Sequence, residues 1–341
     1  MKKHLKIGLV FLAVLFLMAG MMGCEKAEEA AAPEAPKEEK LGDGMTIYFQ
    51  CGGPPGGPAT IARANGAKDA AKAFGVKLIE QYSGWQPEKM IAQFKEALAA
   101  NPDGIEIMGH PGSDAFAPLV KEARDKGIIV TSGNAPLTAL YDSYVADGFG
   151  YAGVDLYMGG YITGQNMVKL GLKAGDRALV YGLMAEAERG LSTRGMFDAL
   201  KEAGLEVDYL EISQEVNADF SLAVPILTAY LTKNPDVKAI GTQHGNITSI
   251  FEKILTEAGK KPGEVITGGI DLTPSTIDGL KSGYVACTLD QQLYLQGFLP
   301  VMQIVLTKKY GFAGLYINTG AGVVTPDTIE ALVPLIEAGI R

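Results

Sequence analysis

Three cysteines, three histidines and one tryptophan are all that 341 residues contain of the side chains that usually carry metal, redox or nucleophilic chemistry. Beyond His4, the only histidines are His110 and His244, and neither has a cysteine or carboxylate cluster nearby. A zinc site needs three or four such ligands, so no metal is expected. The spacings GxxxxGK[ST], GxSxG and HExxH are missing, and no other spacing suggests a hydrolytic triad. No cofactor and no enzymatic activity are expected. A basic excess is also lacking: 30 Lys and Arg face 39 acids, a net charge of −9, which speaks against nucleic acid as a partner. Three cysteines are too few for a disulfide scaffold. Cys51 and Cys287 sit in apolar strand-like contexts and read as small buried hydrophobes, although an extracytoplasmic compartment would permit them to pair.

The first 23 residues are built differently from the rest. Lys2, Lys3 and Lys6 precede an apolar run, Ile7 to Met18, and Gly20 to Gly23 supply small and flexible residues before Cys24. This is the pattern of a secretory signal. An uncleaved anchor is the alternative, but the run is short of the roughly 20 residues that span a bilayer. Ala19-Gly20-Met21-Met22-Gly23-Cys24 resembles a bacterial lipobox, with Met21 and Met22 in place of commoner residues. That likeness implies lipid on Cys24 and membrane attachment through the lipid alone. Cleavage before Cys24 would remove three lysines and take the charge from −9 to −12. Glu25 to Lys40 holds Ala, Glu, Lys and Pro with no aromatic residue, so 24–44 reads as a solvated acidic tether.

From Met45 onward short apolar runs alternate with helical-period segments. Strands are expected at 45–51, 76–80, 104–108 and 128–132, with helices between them, and the alternation restarts after a Gly-, Tyr- and Asp-rich stretch near 150. Such repetition predicts an α/β architecture of parallel sheets covered by helices on both faces. Two similar halves imply a cleft between them, where strand ends gather and small molecules bind. Within the stretch, Gly148-Phe149-Gly150-Tyr151-Ala152-Gly153 formally matches GxGxxG, but the preceding 142–147 reads as a weak polar strand and the motif is not the first turn of its half. An interdomain crossing is the better reading. Gly52-Gly53-Pro54-Pro55-Gly56-Gly57-Pro58 after the first strand is either a backbone-lined loop facing a ligand or a stiff turn.

Several short segments occur in a telling order: Gly127–Ser132, Val154-Asp155 with Gly159-Gly160, Asn234–Ile240, Gly269-Ile270-Asp271-Leu272-Thr273-Pro274, Asp278–Gly283 and Thr288–Gln292. Together they resemble periplasmic sugar-binding proteins of the ribose/galactose type, the solute receptors of ABC importers, over roughly residues 45–325. The resemblance implies a type I periplasmic binding protein fold: two doubly wound parallel-sheet lobes, 45–153 plus 292–320 and 154–291 plus 321–341, joined by a multi-crossing hinge. LacI-type repressors share that fold, but a DNA-binding helix-turn-helix would stand where this chain has its signal and tether.

Site residues also follow from the resemblance. His110 stands where the third-strand loop presents a polar side chain. Asn134 lies where the family places an Asp-Arg pair, and Gly133-Asn134 supplies neither member. Asp155 matches a polar crossing residue, either ligand-facing or structural. Phe220 matches an aromatic that packs on the sugar, His244 takes an Asn position, and Asp271 and Gln291 match outright. The second-lobe Arg is expected to be absent, with Ser192 near its place and Arg189 and Arg194 flanking. Trp85 or Tyr82 would supply the stacking face that the first-strand loop lacks, unless Trp85 only packs. Asp290 and Gln292 are further candidates. The implied protein is a lipid-anchored, monomeric receptor that binds a small carbohydrate and hands it to an ABC permease and its ATPase, with a sensory receptor for a sugar-derived signal as the alternative. Asp271 either accepts from ligand hydroxyls or caps the helix that begins near Thr273.

Overall fold

The computed structural model describes residues 39–320 and 322–341. The expected signal 1–23, Cys24, the tether to residue 38, and Ala321 lie outside them. Residues 39–44, expected in the tether, belong to the folded body. Leu41 packs against a core that contains Val76 and Val305, and the Gly42 amide donates to the Phe74 carbonyl at 2.7 Å. An apolar side chain with a hydrophobic wall within reach is more stable against it than in water.

Among the described residues, twelve strands form two six-stranded sheets. The strands are β1 (Thr46–Gly52), β2 (Lys77–Tyr82), β3 (Gly104–Met108), β4 (Ile129–Gly133), β5 (Gly150–Gly153), β6 (Arg177–Gly182), β7 (Glu206–Glu211), β8 (Val237–Thr242), β9 (Ile266–Ile270), β10 (Cys287–Asp290), β11 (Tyr316–Asn318) and β12 (Gly322–Val324). The first sheet runs β2-β1-β3-β4-β5-β11 and is wholly parallel. The second runs β7-β6-β8-β9-β10-β12, with only β12 antiparallel. The two orders match strand for strand, so each sheet reverses its winding direction at the same point, beside β1 in one and β6 in the other. Strand ends at such a reversal open a crevice.

Each sheet is covered on both faces because its strands are apolar in both directions. On one face of the first sheet, Ile47, Phe49 and Cys51 meet helices Pro58–Phe74 and Leu293–Tyr310. On the other, Ile105, Ile107 and Val130 lie in a core with helices Pro87–Ala100 and Ser113–Asp125. The second sheet repeats this: helices Leu156–Lys169 and Gly190–Glu202 cover one side, and Ala223–Lys233, Phe251–Glu257 and Pro274–Ser282 the other. Cys51 and Cys287 are free, fully buried and in different sheets.

The GxGxxG look-alike is resolved differently from the sequence expectation. Its second half is β5, an interior strand between β4 and β11, and 142–147 is helical: helix Thr138–Tyr144 runs into a single turn at Val145–Asp147. The chain passes between the sheets after β5, after β10 and between β11 and β12. Hydrogen bonds tie these passages together. The Thr319 amide donates to the Gly153 carbonyl at 2.8 Å and its hydroxyl to the Gln291 carbonyl at 2.8 Å, while Gln292 Nε2 donates to the Thr319 carbonyl at 2.9 Å.

Candidate functional site

The carboxyl ends of the strands in both sheets converge on one cleft, with an empty volume of about 750 Å³ including its mouth. Much of each wall is made by residues that follow a strand, while helices supply others such as Arg63 and Ser192.

On the first-sheet wall Trp85 follows β2. Its amide donates to the Gly52 carbonyl at 3.1 Å, and its indole lies over the end of β1. Added Cβ atoms at Gly52 and Gly53 would come within 2.6 and 2.7 Å of the indole ring, so the glycine pair makes room for the aromatic face. The indole also stacks on His110, with ring centroids 5.7 Å apart and 21° between planes. His110 Nε2 lies 2.7 Å from Asn134 Oδ1, which fixes the proton on Nε2 and leaves Nδ1 as an acceptor without a partner. Burial, aided by Arg189, holds the His110 imidazole well below its ordinary pKa, so it is neutral. Asn134 Nδ2 reaches Gln296 Oε1 at 3.4 Å, and Gln296 Nε2 donates to the Gln291 carbonyl at 3.2 Å, linking this wall to the hinge. Behind it lies a fully buried ion pair, Arg63 Nη2 to Glu106 Oε1 at 2.7 Å.

On the second-sheet wall Asp271 follows β9. Its Oδ1 accepts from Gln291 Nε2 at 2.6 Å, and an added Cβ at Gly245 would stand 2.0 Å from its Oδ2. Burial pushes the carboxyl up to about 6, with the Gln291 hydrogen bond opposing, Asp290 adding and Arg189 opposing. Asp271 does not cap the following helix; the Thr273 hydroxyl does, accepting from the Thr276 amide at 3.1 Å. His244 follows β8. Asn217 Oδ1 takes a hydrogen bond from Arg189 Nη1 at 3.4 Å and lies 3.2 Å from His244 Nε2, so Nε2 carries the proton and Nδ1 is a free acceptor. Burial and then Arg189 lower the His244 pKa to about 3. Arg189 also faces Glu186 at 3.5 Å.

Trp85, His110, Asn134, His244, Asp271 and Gln291 all line this cleft. Five other candidates do not. The Tyr82 hydroxyl turns to Glu80 at 2.7 Å, and Gln292 Nε2 donates to the Thr319 carbonyl at the hinge. Asp155 caps helix Leu156–Lys169 through the Met158 amide at 3.1 Å. Asp290 is one residue out of phase with Gln291: it turns away, to Arg341 at 2.7 Å. Phe220 lies against the core of the second sheet, because the caps at Ser213 and Asp219 fold 213–222 into two short turns that aim it inward. Sequence reasoning missed two guanidinium groups. Arg189 lines the cleft although an arginine was expected to be absent there, and Arg63 comes from inside a helix. Gln243 and Asn246, beside His244, were also passed over.

A residue outside the cavity joins the two walls. Glu188 Oε1 accepts from Ser113 Oγ at 2.8 Å and the Thr138 amide at 3.2 Å, at the starts of two first-sheet helices. Its neighbour Arg189 points into the cleft, so one loop both closes the mouth and reaches the interior.

Residues 60–309 match the model of the periplasmic binding protein domain. The chain belongs to this family. Periplasmic binding proteins are binding components of transport rather than enzymes, and the two doubly wound sheets are their type I fold. Among relatives, the chain is similar to the xylose/arabinose-binding protein of Sulfolobus acidocaldarius, 28% identical over 255 residues that cover 71% of this chain and 61% of that one. It is 26% identical over 234 residues to the D-ribose/D-allose-binding protein of Pseudomonas aeruginosa, covering 67% and 66%. The chain thus spans somewhat less than two thirds of either relative. A carbohydrate transporter protein of Acidothermus cellulolyticus, solved with myo-inositol, has the same fold, with a TM-score of 0.73, 21% identity and coverage of 87% and 99%.

Proposed function

We propose that this periplasmic binding protein is the extracytoplasmic, lipid-anchored substrate-binding component of an ABC importer, and that it takes a small neutral carbohydrate or polyol into the cleft. One observation carries the ligand class. Buried cleft residues include donors without acceptors, Arg63 Nε and Gln243 Nε2, and acceptors without donors, His110 Nδ1 and His244 Nδ1. A hydroxyl both donates and accepts, so a polyhydroxylated ligand satisfies both kinds at once. Charge supports neutrality. Arg63 is matched by Glu106 and Arg189 by Glu186, so an anionic ligand would find no unpaired cation waiting. Trp85 offers an apolar face to the C–H side of a sugar ring. The names of the relatives, for xylose, arabinose, ribose and allose, agree with this class.

In this reading 45–153 with 292–320 and 154–291 with 321–341 are two bodies that close over the ligand. The protein acts as a monomer, delivering its cargo to a permease and ATPase. The n-region lysines, apolar run and Cys24 support the lipid anchor, which confines the receptor near that permease. A thermal-shift screen of pentoses, hexoses and polyols beside sugar phosphates and amino acids tests the ligand class. Stabilisation by neutral sugars alone is expected; stabilisation by a charged class alone refutes it.

A further inference from the structure

The cleft lacks an acid–guanidinium pair directly after β4, where Gly133-Asn134 stands, yet such a pair is present one strand away. Glu106 rises from the middle of β3. The ladder between β1 and β3 pairs only as far as Phe49 and Glu106, and beyond that point side chains take over the backbone bonds. Glu106 Oε2 accepts from the Gln50 amide at 3.1 Å, and Gln50 Oε1 accepts from the Met108 amide at 3.0 Å. The opened strands form a slot for Arg63, reaching down from helix Pro58–Phe74. Nη2 bonds Glu106, while Nη1 lies 3.4 Å from the carbonyls of Gln50 and Cys51. A Cβ at Gly133 would stand 2.3 Å from Glu106 Oε1 and 2.5 Å from Arg63 Nη2. The buried pair therefore requires a bare backbone at 133.

Arg63 lines the cleft, is 1% exposed, and has one nitrogen without a partner, Nε. We propose that Arg63, locked in place by Glu106, is a ligand-binding and specificity-determining residue that donates a single hydrogen bond from Nε to one oxygen of the carbohydrate. With Nη2 on Glu106 and Nη1 beside two backbone carbonyls, Nε is the nitrogen with no protein partner left to meet a ligand oxygen. It reads one acceptor at one fixed position, and a ligand without that oxygen leaves the buried N–H unpaired. The proposal rests on the carbohydrate reading of the cleft.

The test uses the whole protein and a panel of D-xylose, L-arabinose, D-ribose, D-allose and myo-inositol, taking forward the best binder and its monodeoxy series. In the wild type, the Arg63 Nε–H resonance, assigned by its loss in Arg63→Lys, is expected to shift and gain exchange protection as the sugar saturates. Arg63→Lys keeps a cation for Glu106 but has no Nε–H. It is expected to bind about 10- to 100-fold more weakly and to lose the wild type's discrimination against one deoxy analogue. An Arg63 resonance unmoved by a saturating sugar overturns the proposal even if the lysine variant fails to fold. So does a folded Arg63→Lys with wild-type affinity and discrimination. If no sugar on the panel binds the wild type, the carbohydrate reading itself falls, and this assignment with it.

Discussion

Acidification from pH 7.5 to 5 provides a specific test of the role of Asp271. Its carboxyl lies buried beside Gln291, and burial raises its pKa from 3.8 to about 6. The ionised carboxyl is the stronger acceptor of ligand hydroxyls, so binding pulls the pKa down and the ligand competes with a proton. With a pKa of about 6 before binding, about one carboxyl in eleven is ionised at pH 5, so affinity falls by up to about tenfold between the two pH values, or about 1.4 kcal/mol. The two cleft imidazoles add nothing in this window, because His244 titrates at about 3 and His110 well below its ordinary value. Glu106, pushed up by burial to about 7, stays in place in an Asp271→Asn variant, so the difference in slope between the proteins belongs to Asp271. Calorimetry at both pH values on both proteins is the assay. Asp271→Asn should bind about tenfold more weakly at pH 7.5 and lose the Asp271 share of the pH dependence. A wild-type affinity equal at both pH values, or an unchanged slope in the variant, refutes the reasoning. Without ligand the same group acts on stability in the opposite direction. Its folded pKa is raised from 3.8, so between about 4 and 6 only the folded state keeps the proton, and stability falls as pH rises through that window.

Trp85→Ala removes the stacking face and should weaken sugar binding by about 10- to 100-fold; unchanged affinity in calorimetry would show that the indole merely packs. Glu188→Ala breaks the contacts to Ser113 and Thr138 without touching the cavity. It should raise the dissociation rate about 3- to 10-fold while the association rate holds, and stopped-flow kinetics showing no change in dissociation would remove Glu188 from closure. Cys24→Ser should abolish incorporation of labelled lipid into the full-length chain, and persistent labelling would contradict the anchor.

The alternation of elements was legible because parallel strands buried on both faces read as unbroken apolar runs. Residues directly after those runs were legible too: His110, Asn134, His244, Asp271 and Gln291 each follow a strand, where this fold gathers its site. What failed was phase and depth. Asp290 is one position from Gln291 and turns the other way. Phe220 is three positions from Asn217, which touches His244 and Arg189, but two capped turns between them rotate it into the core. Arg63 carries no motif, since it sits inside a helix and reaches the cleft only through the slot opened by Glu106, itself hidden in what reads as a strand interior. Strand residues at 150–153 were obscured by their glycines, which fit a turn as readily as an interior strand between close neighbours.

Because Trp85 is the only tryptophan in the chain and forms part of the cleft wall, its emission reports on the site alone. Titrating the wild-type protein with D-xylose, L-arabinose, D-ribose, D-allose and myo-inositol, with heat and Trp85 emission recorded together, tests the central claim most directly. The account predicts one-to-one binding of at least one of these neutral ligands, with the emission change and the heat following the same isotherm. No heat from any of them, or binding that leaves Trp85 emission unaltered at saturation, would contradict it.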